Sequence, residues 1–282
     1  DINLTIHKGE TLGLVGESGC GKTTCGRTAI GLYSKTGGSS LYKGKSVHAL
    51  HGAARRQFCC EVQTIFQDPY ASLDPKNKVI DLIAEGMDIH KLCASAAERR
   101  ERVEHLMEQV GLSPLWVDRY PYEFSGGMRQ RVLIAMGIAA GADLVLADEP
   151  TKGLDRRRIA LVEDAFQRLG ERTLLCVTHD LRFAHAISSR VVVMYASQQI
   201  ESGDSPSFFA EPLHPYSRAM LEALPENGLH ANMGFAPPRQ DVDAQSVCHF
   251  YGRCPWRSER CRKAPPLMTV GKRKVRCWKY AD

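Results

Sequence analysis

Nine residues near the start of the chain, Gly16-Glu17-Ser18-Gly19-Cys20-Gly21-Lys22-Thr23-Thr24, combine three glycines, a lysine and three hydroxyls at the G-x-x-x-x-G-K-[ST] spacing. Glycines at these positions let a backbone turn tightly, so that its N–H groups converge on one point. A helix opening at that point adds the positive end of its dipole, and the result is a cradle for phosphate. Lys22 can reach the outer phosphates of a nucleoside triphosphate, and the Thr23 hydroxyl can hold Mg²⁺. An incidental glycine turn is the alternative, and the flanking residues argue against it.

Further polar residues follow at intervals. Gln67 opens a run of structure breakers, Gln67-Asp68-Pro69-Tyr70. Ser125-Gly126-Gly127 precedes an apolar run, so Ser125 suits a helix N-cap and the glycines expose N–H groups that can take an anion; a plain helix start explains them equally well. Asp148-Glu149 ends the apolar stretch Leu144-Val145-Leu146-Ala147. Acids at the tip of a buried strand beside a phosphate loop can hold Mg²⁺ and polarise a water; solvated acids are the bland reading. His179 closes another apolar stretch, either as a structural histidine or in contact with a terminal phosphate. Cys248, Cys254, Cys261 and Cys277 stand at spacings of x5, x6 and x15 near the C-terminus. Clustered thiols in a reducing compartment suit metal better than disulfides. The tight C-x₂₋₄-C pairs favoured by zinc are missing, and Cys254-Pro255 is a pair also found in ferredoxin-type ligation, although the spacing differs. An iron–sulfur cluster, zinc and unliganded thiols all stay open on these residues alone.

These residues need elements to carry them. Thr11–Val15 predicts a buried strand before the phosphate loop, and residues 25–32 predict a helix after it. Residues 1–15 predict two strands joined at Lys8-Gly9, and glycines around 37–44 predict a small antiparallel flap. Further strands are expected over Cys60–Phe66, Asp143–Asp148, Thr173–Val177 and, as the last of the core, Arg190–Tyr195. Between 79 and 112 the pattern becomes helical, with Val103, Leu106, Met107 and Val110 on one face as ordinary core.

At 282 residues and 43% hydrophobic, the chain can build one large α/β domain and a smaller attachment. Its longest apolar run, Val132–Ala140, falls far short of the ~20 residues that cross a bilayer. Because it opens just before a strand and without Met, further residues are expected to precede it. The net charge of +5 is unevenly placed: residues 248–282 hold ten Lys/Arg against Glu259 and Asp282. Such a basic stretch is a solvated face or a partner for anionic headgroups, nucleic acid or an anionic cofactor.

Phosphate loop, Gln67 turn, Ser125-Gly126-Gly127, Asp148-Glu149 and His179 stand in one order, and together they resemble the nucleotide-binding subunit of an ATP-binding cassette transporter over residues 1 to about 203. The resemblance implies a RecA-like P-loop core with an antiparallel flap, a helical subdomain inserted at about 76–140, and two cassettes sandwiching two ATP molecules. It makes Gly16, Glu17, Ser18, Gly19, Cys20, Gly21, Lys22, Thr23 and Thr24 the ATP-binding loop, and Gln67 a contact to ATP. Mg²⁺ would be held through Thr23, Gln67 and Asp148. Ser125, Gly126 and Gly127 become the signature that touches ATP on the opposite cassette, Glu149 the catalytic base, His179 the switch histidine, and Gly153-Leu154-Asp155 the D-loop. Lys152-Gly153 replaces the commoner Ser-Ala of that turn, which suggests a related but different second cassette, with a homodimer as the other option. The family's adenine-stacking aromatic would lie upstream of this sequence.

His214-Pro215-Tyr216 and the four cysteines resemble the extension of oligopeptide, dipeptide and nickel importer ATPases, some of which carry a [4Fe–4S] cluster; this implies an extension over 204–282. Expected partners are the second cassette, two integral membrane permease subunits and, indirectly, an extracellular substrate-binding protein, with no nucleic acid. The expected location is peripheral, at the cytoplasmic face of the cell membrane, and hydrolysis is expected to be largely independent of the tail. The rival is a non-transport cassette ATPase of DNA repair or translation. Such proteins carry long coiled-coil or zinc-finger insertions, or two cassettes in one chain, and this sequence has a short insert and one phosphate loop. A cluster-binding regulator with a degenerate cassette is disfavoured by Glu149 and His179.

Overall fold

The computed structural model of the protein describes residues 2–170, 172–228 and 247–281. Residues 229–246, inside the expected extension, and Asp282, part of its charge, lie outside the described residues. In chain order the elements are β1 (Thr11–Val15), α1 (Lys22–Ala29), β2 (Leu41–Tyr42), β3 (Lys45–Ser46), α2 (Gly52–Glu61), β4 (Val62–Ile65) and α3 (Pro69–Ser72). Then come α4 (Val79–His90), α5 (Ala96–Gln109), α6 (Gly126–Ala139), β5 (Leu144–Asp148), α7 (Arg156–Arg168), β6 (Thr173–Thr178) and α8 (Leu181–Ile187). The chain continues with β7 (Arg190–Tyr195), β8 (Gln198–Asp204), α9 (Ser205–Ala210), α10 (Pro215–Glu222), β9 (Met268–Val270) and β10 (Arg273–Val275).

These elements form two compact units whose segments interleave in sequence: Asp1–Thr5, Leu12–Lys22 and Thr178–Asp282 in one, Ile6–Thr11 and Thr23–Val177 in the other. In the first unit, β1 pairs in parallel with β7, β7 with β8 antiparallel, and β8 with the antiparallel β10–β9 hairpin. Val15, Val191, Val193, Tyr195, Phe208, Tyr216 and Phe250 form its core. In the second unit β4, β5 and β6 are parallel, with Ile65 level with Ala147 and Asp148 level with Val177. The mostly apolar runs of β5 and β6, buried on both faces, are what a parallel sheet requires. The helical segment of this unit packs α4, α5 and α6 on one another. α6 is buried on nearly every side, including Val132, Ile134, Ala135 and Ile138, so it lacks a polar face. Its buried Arg131 donates to the carbonyls of Val110, Gly111 and Gly127, which removes most of the cost of burying a cation.

The flap forms as expected. Lys43 and Gly44, at φ +48° and +77°, make the tight turn that joins Leu41↔Ser46 and Tyr42↔Lys45. Three expectations are corrected. Among the described residues, 2–10 hold no strand; Asn3 donates its N–H to the Gln199 side chain, and Arg190 bonds the Thr5 carbonyl, in place of a ladder. Cys60 and Glu61 belong to α2, because the Val62 N–H still donates to the Phe58 carbonyl and prolongs the helix to the start of β4. Arg190–Tyr195 is also not the last strand, since β8 follows through a turn at Ala196-Ser197, both at positive φ. β8 reads QQIESGD and carries no apolar alternation, yet six of its seven residues are buried. Its polar side chains are satisfied within the fold, which periodicity does not reveal.

Candidate functional site

The residues expected to handle ATP fall in both units: Gly16–Lys22 and His179 in the first, and Thr23, Thr24, Gln67, Ser125–Gly127, Asp148, Glu149 and Asp155 in the second. In the first unit β1 delivers the chain into the phosphate loop. Gly16 stands at φ +151°, and a Cβ there would collide with the carbonyl oxygen of Met194 on β7, so only glycine lets the loop leave the strand this closely. The Ser197 N–H donates to the Cys20 carbonyl at 3.1 Å, which fixes the far side of the loop to the β7–β8 turn. Ser18 and Gly19 form its exposed crest. The Lys22 ammonium, 4% exposed, donates to the carbonyls of Gly16 and Glu17 at 2.8 and 3.0 Å, so the lysine lies within its own loop. His179 is exposed just after β6, ahead of Asp180, whose carboxylate caps α8 by accepting from Arg182 and Phe183 N–H.

In the second unit Thr23 and Asp148 meet. The Thr23 hydroxyl donates to the Asp148 carboxylate at 2.7 Å, and Asp148 is fully buried at the end of β5. Arg27, one turn further along α1, donates to the other carboxylate oxygen through Nε at 3.0 Å and Nη2 at 2.8 Å. Sequence reasoning passed over Arg27; its place one helical turn beyond Thr23 was the available signal. Glu149 is 8% exposed at φ +51°, a left-handed conformation that costs a non-glycine residue of order 1 kcal/mol or more. Its N–H donates to the Val177 carbonyl at 2.8 Å, and its carbonyl accepts from Lys152, so the sheet and the following turn hold the strain. Gln67 lies in a bend two residues beyond β4; the β4–β5 register puts it at the same strand-end edge as Asp148-Glu149.

Ser125 is the N-cap of α6, accepting from the Met128 N–H at 3.4 Å, and it is exposed. A Cβ on Gly127 would press on the Arg158 stem at 3.2 Å, so the glycine lets Arg158 lie flat on the helix start. Arg158 is tied to Asp155, which caps α7 and accepts from both the Arg158 N–H and its guanidinium. Arg129 stacks over the exposed Tyr70 ring at 4.3 Å. Arg158 and Tyr70 were therefore missed near the Ser125 turn, because one follows it by more than thirty residues and the other precedes it by fifty-five.

The C-terminal cysteines line a cavity of about 370 Å³ in the first unit, together with His214 and Phe250. All four are free thiols. Burial, with the neighbouring thiols adding to it, pushes Cys248 up to about 11, and burial also raises Cys254 and Cys277. Among the described residues no three His, Cys, Asp or Glu side chains stand together as ligands for a single ion. Sequence reasoning also missed Glu201. It is fully buried, accepts from the N–H groups of Leu213 and His214 and from Arg273 at 2.5 Å, and so pins the start of α10 to β8 and β10. Tyr216 and Arg253 belong to the same unit and touch the phosphate loop itself.

The family model described as ABC transporter matches residues 1–152. The model for the oligopeptide/dipeptide transporter C-terminal region matches residues 200–261. The oligopeptide transport ATP-binding protein OppF of Bacillus subtilis is 45% identical over 229 residues, covering 80% of this chain and 75% of that protein. The putative oligopeptide transport ATP-binding protein YkfD of the same organism is 40% identical over 276 residues, covering 95% of this chain and 84% of that protein. The solved structure of cbiO1 from Clostridium perfringens, part of the ABC transporter complex cbiONQ, superposes with TM-score 0.66 at 24% identity, covering 80% of this chain and 88% of that one. The dimeric ATP-binding cassette MJ0796, bound to ADP and Pi, gives TM-score 0.63 at 25% identity over 73% and 89%.

Proposed function

The chain belongs to the ABC transporter family, among the ATP-binding proteins of oligopeptide and dipeptide transport, and on that premise we propose that it hydrolyses ATP to drive import of oligopeptides or a related small solute through a membrane permease. The observation that carries the hydrolytic part is the Thr23–Asp148 hydrogen bond beside a strained Glu149. Residues Gly16–Thr24 and Gln67 bind ATP. Mg²⁺ held by Thr23, Gln67 and Asp148 would neutralise charge developing on the phosphates. The oxygen donors there, a hydroxyl, an amide and a buried carboxylate already carrying cation-like donors, suit a hard cation. Glu149 orients and deprotonates the attacking water, and His179 steadies the terminal phosphate. Positioning and charge stabilisation supply most of the catalysis in such a reaction.

Residues 1–203 form the cassette, with a helical subdomain at about 76–140, and 204–282 form the extension; the match of the C-terminal family model to 200–261 supports this division. Ser125, Gly126, Gly127 and Asp155 act across the interface with a second, related cassette. Two integral membrane permease subunits dock on this pair, and an external binding protein delivers the solute. No helix among the described residues is long and apolar enough to cross a membrane, in keeping with a peripheral subunit on the cytoplasmic face.

Cys248, Cys254, Cys261 and Cys277 are proposed to hold a [4Fe–4S] cluster, with zinc as the alternative; the support is that all four thiols line one cavity. A cluster there would cross-link the extension, which is too short to have much core of its own. Anaerobically purified protein is expected to contain iron and acid-labile sulfide, whereas stoichiometric zinc without sulfide would select the alternative. The transport reading is tested by quantified pull-down from membranes, with ATPase assays with and without the recovered permease. Stimulation by permease and peptide is expected; full activity as an isolated monomer with no membrane partner would sink it.

A further inference from the structure

Glu17 lies within the phosphate loop, where a carboxylate opposes the negative charge of a bound triphosphate. Arg253, more than two hundred residues later, reaches it: its Nη1 donates to the two carboxylate oxygens at 2.8 and 3.1 Å. The Arg253 side chain is only 10% exposed and that of Glu17 34%, so the pair is partly shielded from water. The guanidinium rests against three aromatic rings, with centroids 5.6 Å away for Tyr195, 6.0 Å for Tyr216 and 5.6 Å for Phe250. Tyr216, buried in α10, accepts a hydrogen bond from the Glu17 backbone N–H at 2.9 Å. The extension thus holds both the side chain and the main chain of one residue of the loop. Arg253 itself sits on the short turn Tyr251–Arg253, whose ends are fixed by Arg253 N–H to the Phe250 carbonyl and Tyr251 N–H to the Cys248 carbonyl. Cys248 and Cys254 bound that turn, and both line the cysteine cavity.

We propose that Arg253 is a positioning residue for ATP, which neutralises Glu17 and sets the phosphate loop, so that the cysteine-bounded turn carrying it governs nucleotide affinity. This rests on Gly16–Lys22 being the ATP loop. It departs from the expectation that hydrolysis is largely independent of the tail. With Arg253 in place the loop presents no net negative charge at Glu17; without it, an unpaired carboxylate stands beside the incoming phosphates.

The test is equilibrium binding of a fluorescent ATP analogue with Mg²⁺ to the full chain, with thermal melting recorded in parallel. Arg253→Met should weaken binding roughly ten-fold, equivalent to about 1.4 kcal/mol, and Arg253→Lys should recover part of it. In a Glu17→Gln background Arg253→Met should cost less than about two-fold, because the charge it neutralises is gone. Cys254→Ala should weaken binding in the wild type and add little to Arg253→Met. Lys22→Ala controls for the loop assignment and should abolish binding. If Lys22→Ala binds normally, the loop assignment fails and takes this proposal with it. If Lys22→Ala abolishes binding but Arg253→Met has no effect, or the same effect with Glu17→Gln, Arg253 has no such role. An unchanged affinity in Cys254→Ala overturns the link to the cysteine-bounded turn.

Discussion

Asp148 and Glu149 are neighbours in sequence with opposite demands. Asp148 ends a regular strand, buried and bonded by Thr23 and Arg27, so it is held still. Glu149 leaves the strand in a left-handed conformation, which turns its side chain out of the alternation that a continued strand would impose. The left-handed φ gives the two neighbouring acids different settings at the end of one strand. Glu149→Gln keeps the shape and removes the proton acceptor. It should lower ATP turnover by about 10²-fold or more while ATP affinity stays within a few-fold. Single-turnover and binding assays on the same preparation check this, and wild-type turnover would remove Glu149 from that role.

At the scale of elements, one lysine ties the small flap to two other elements of its unit. Lys43, in the β2–β3 turn, donates to Glu61 at the end of α2 and to Asp143 just before β5, both at 2.7 Å. The Lys43 ammonium, with help from Gln57, pulls the Glu61 carboxyl down to about 2, and the two carboxylates push the lysine upward. A carboxyl whose folded value is depressed contributes stability above its unfolded value of about 4.3 and loses it as pH falls through the folded value. The window for Glu61 is therefore from about 4.3 down to about 2. Lys43 is 57% exposed, so solvent screening limits the pair to about 0.5–1 kcal/mol. Urea midpoints of the wild type and Lys43→Met should differ at pH 6 and converge toward pH 2; a difference constant across that range would exclude an ionic fastening.

For the whole molecule, the proposed sandwich makes Ser125 matter to another subunit. It caps a fourteen-residue helix from an exposed position, and Arg158 lies along the adjoining glycine, so the helix start offers N–H groups and a guanidinium to an anion from outside. Ser125→Arg should lose the cap, costing about 1 kcal/mol, and should stop hydrolysis at the partner's loop. Binding of ATP at Lys22 should survive. Mixed pairs containing one altered subunit, assayed with each subunit's loop inactivated in turn, separate the two sites. Loss of ATP binding at the altered subunit's own loop would contradict action across an interface.

The sequence by itself determined the parts that depend on short-range spacing. The phosphate loop, the cap at Ser125, the flap turn and the apolar strands all follow from residues a few positions apart, because local backbone sterics and periodic burial decide them. Only the tertiary structure decided that Arg27 clamps Asp148, that Arg158 lies on Gly127 and that Glu149 is strained. These depend on which elements meet, and no periodicity encodes that. β8 is the clearest case, since its buried Gln199, Glu201 and Ser202 look like surface until the chain that satisfies them is in place. Glu17 and Arg253 read separately as a loop residue and one charge in a basic tail. Folding brings them within a hydrogen bond, with the guanidinium against the aromatic cluster of Tyr195, Tyr216 and Phe250.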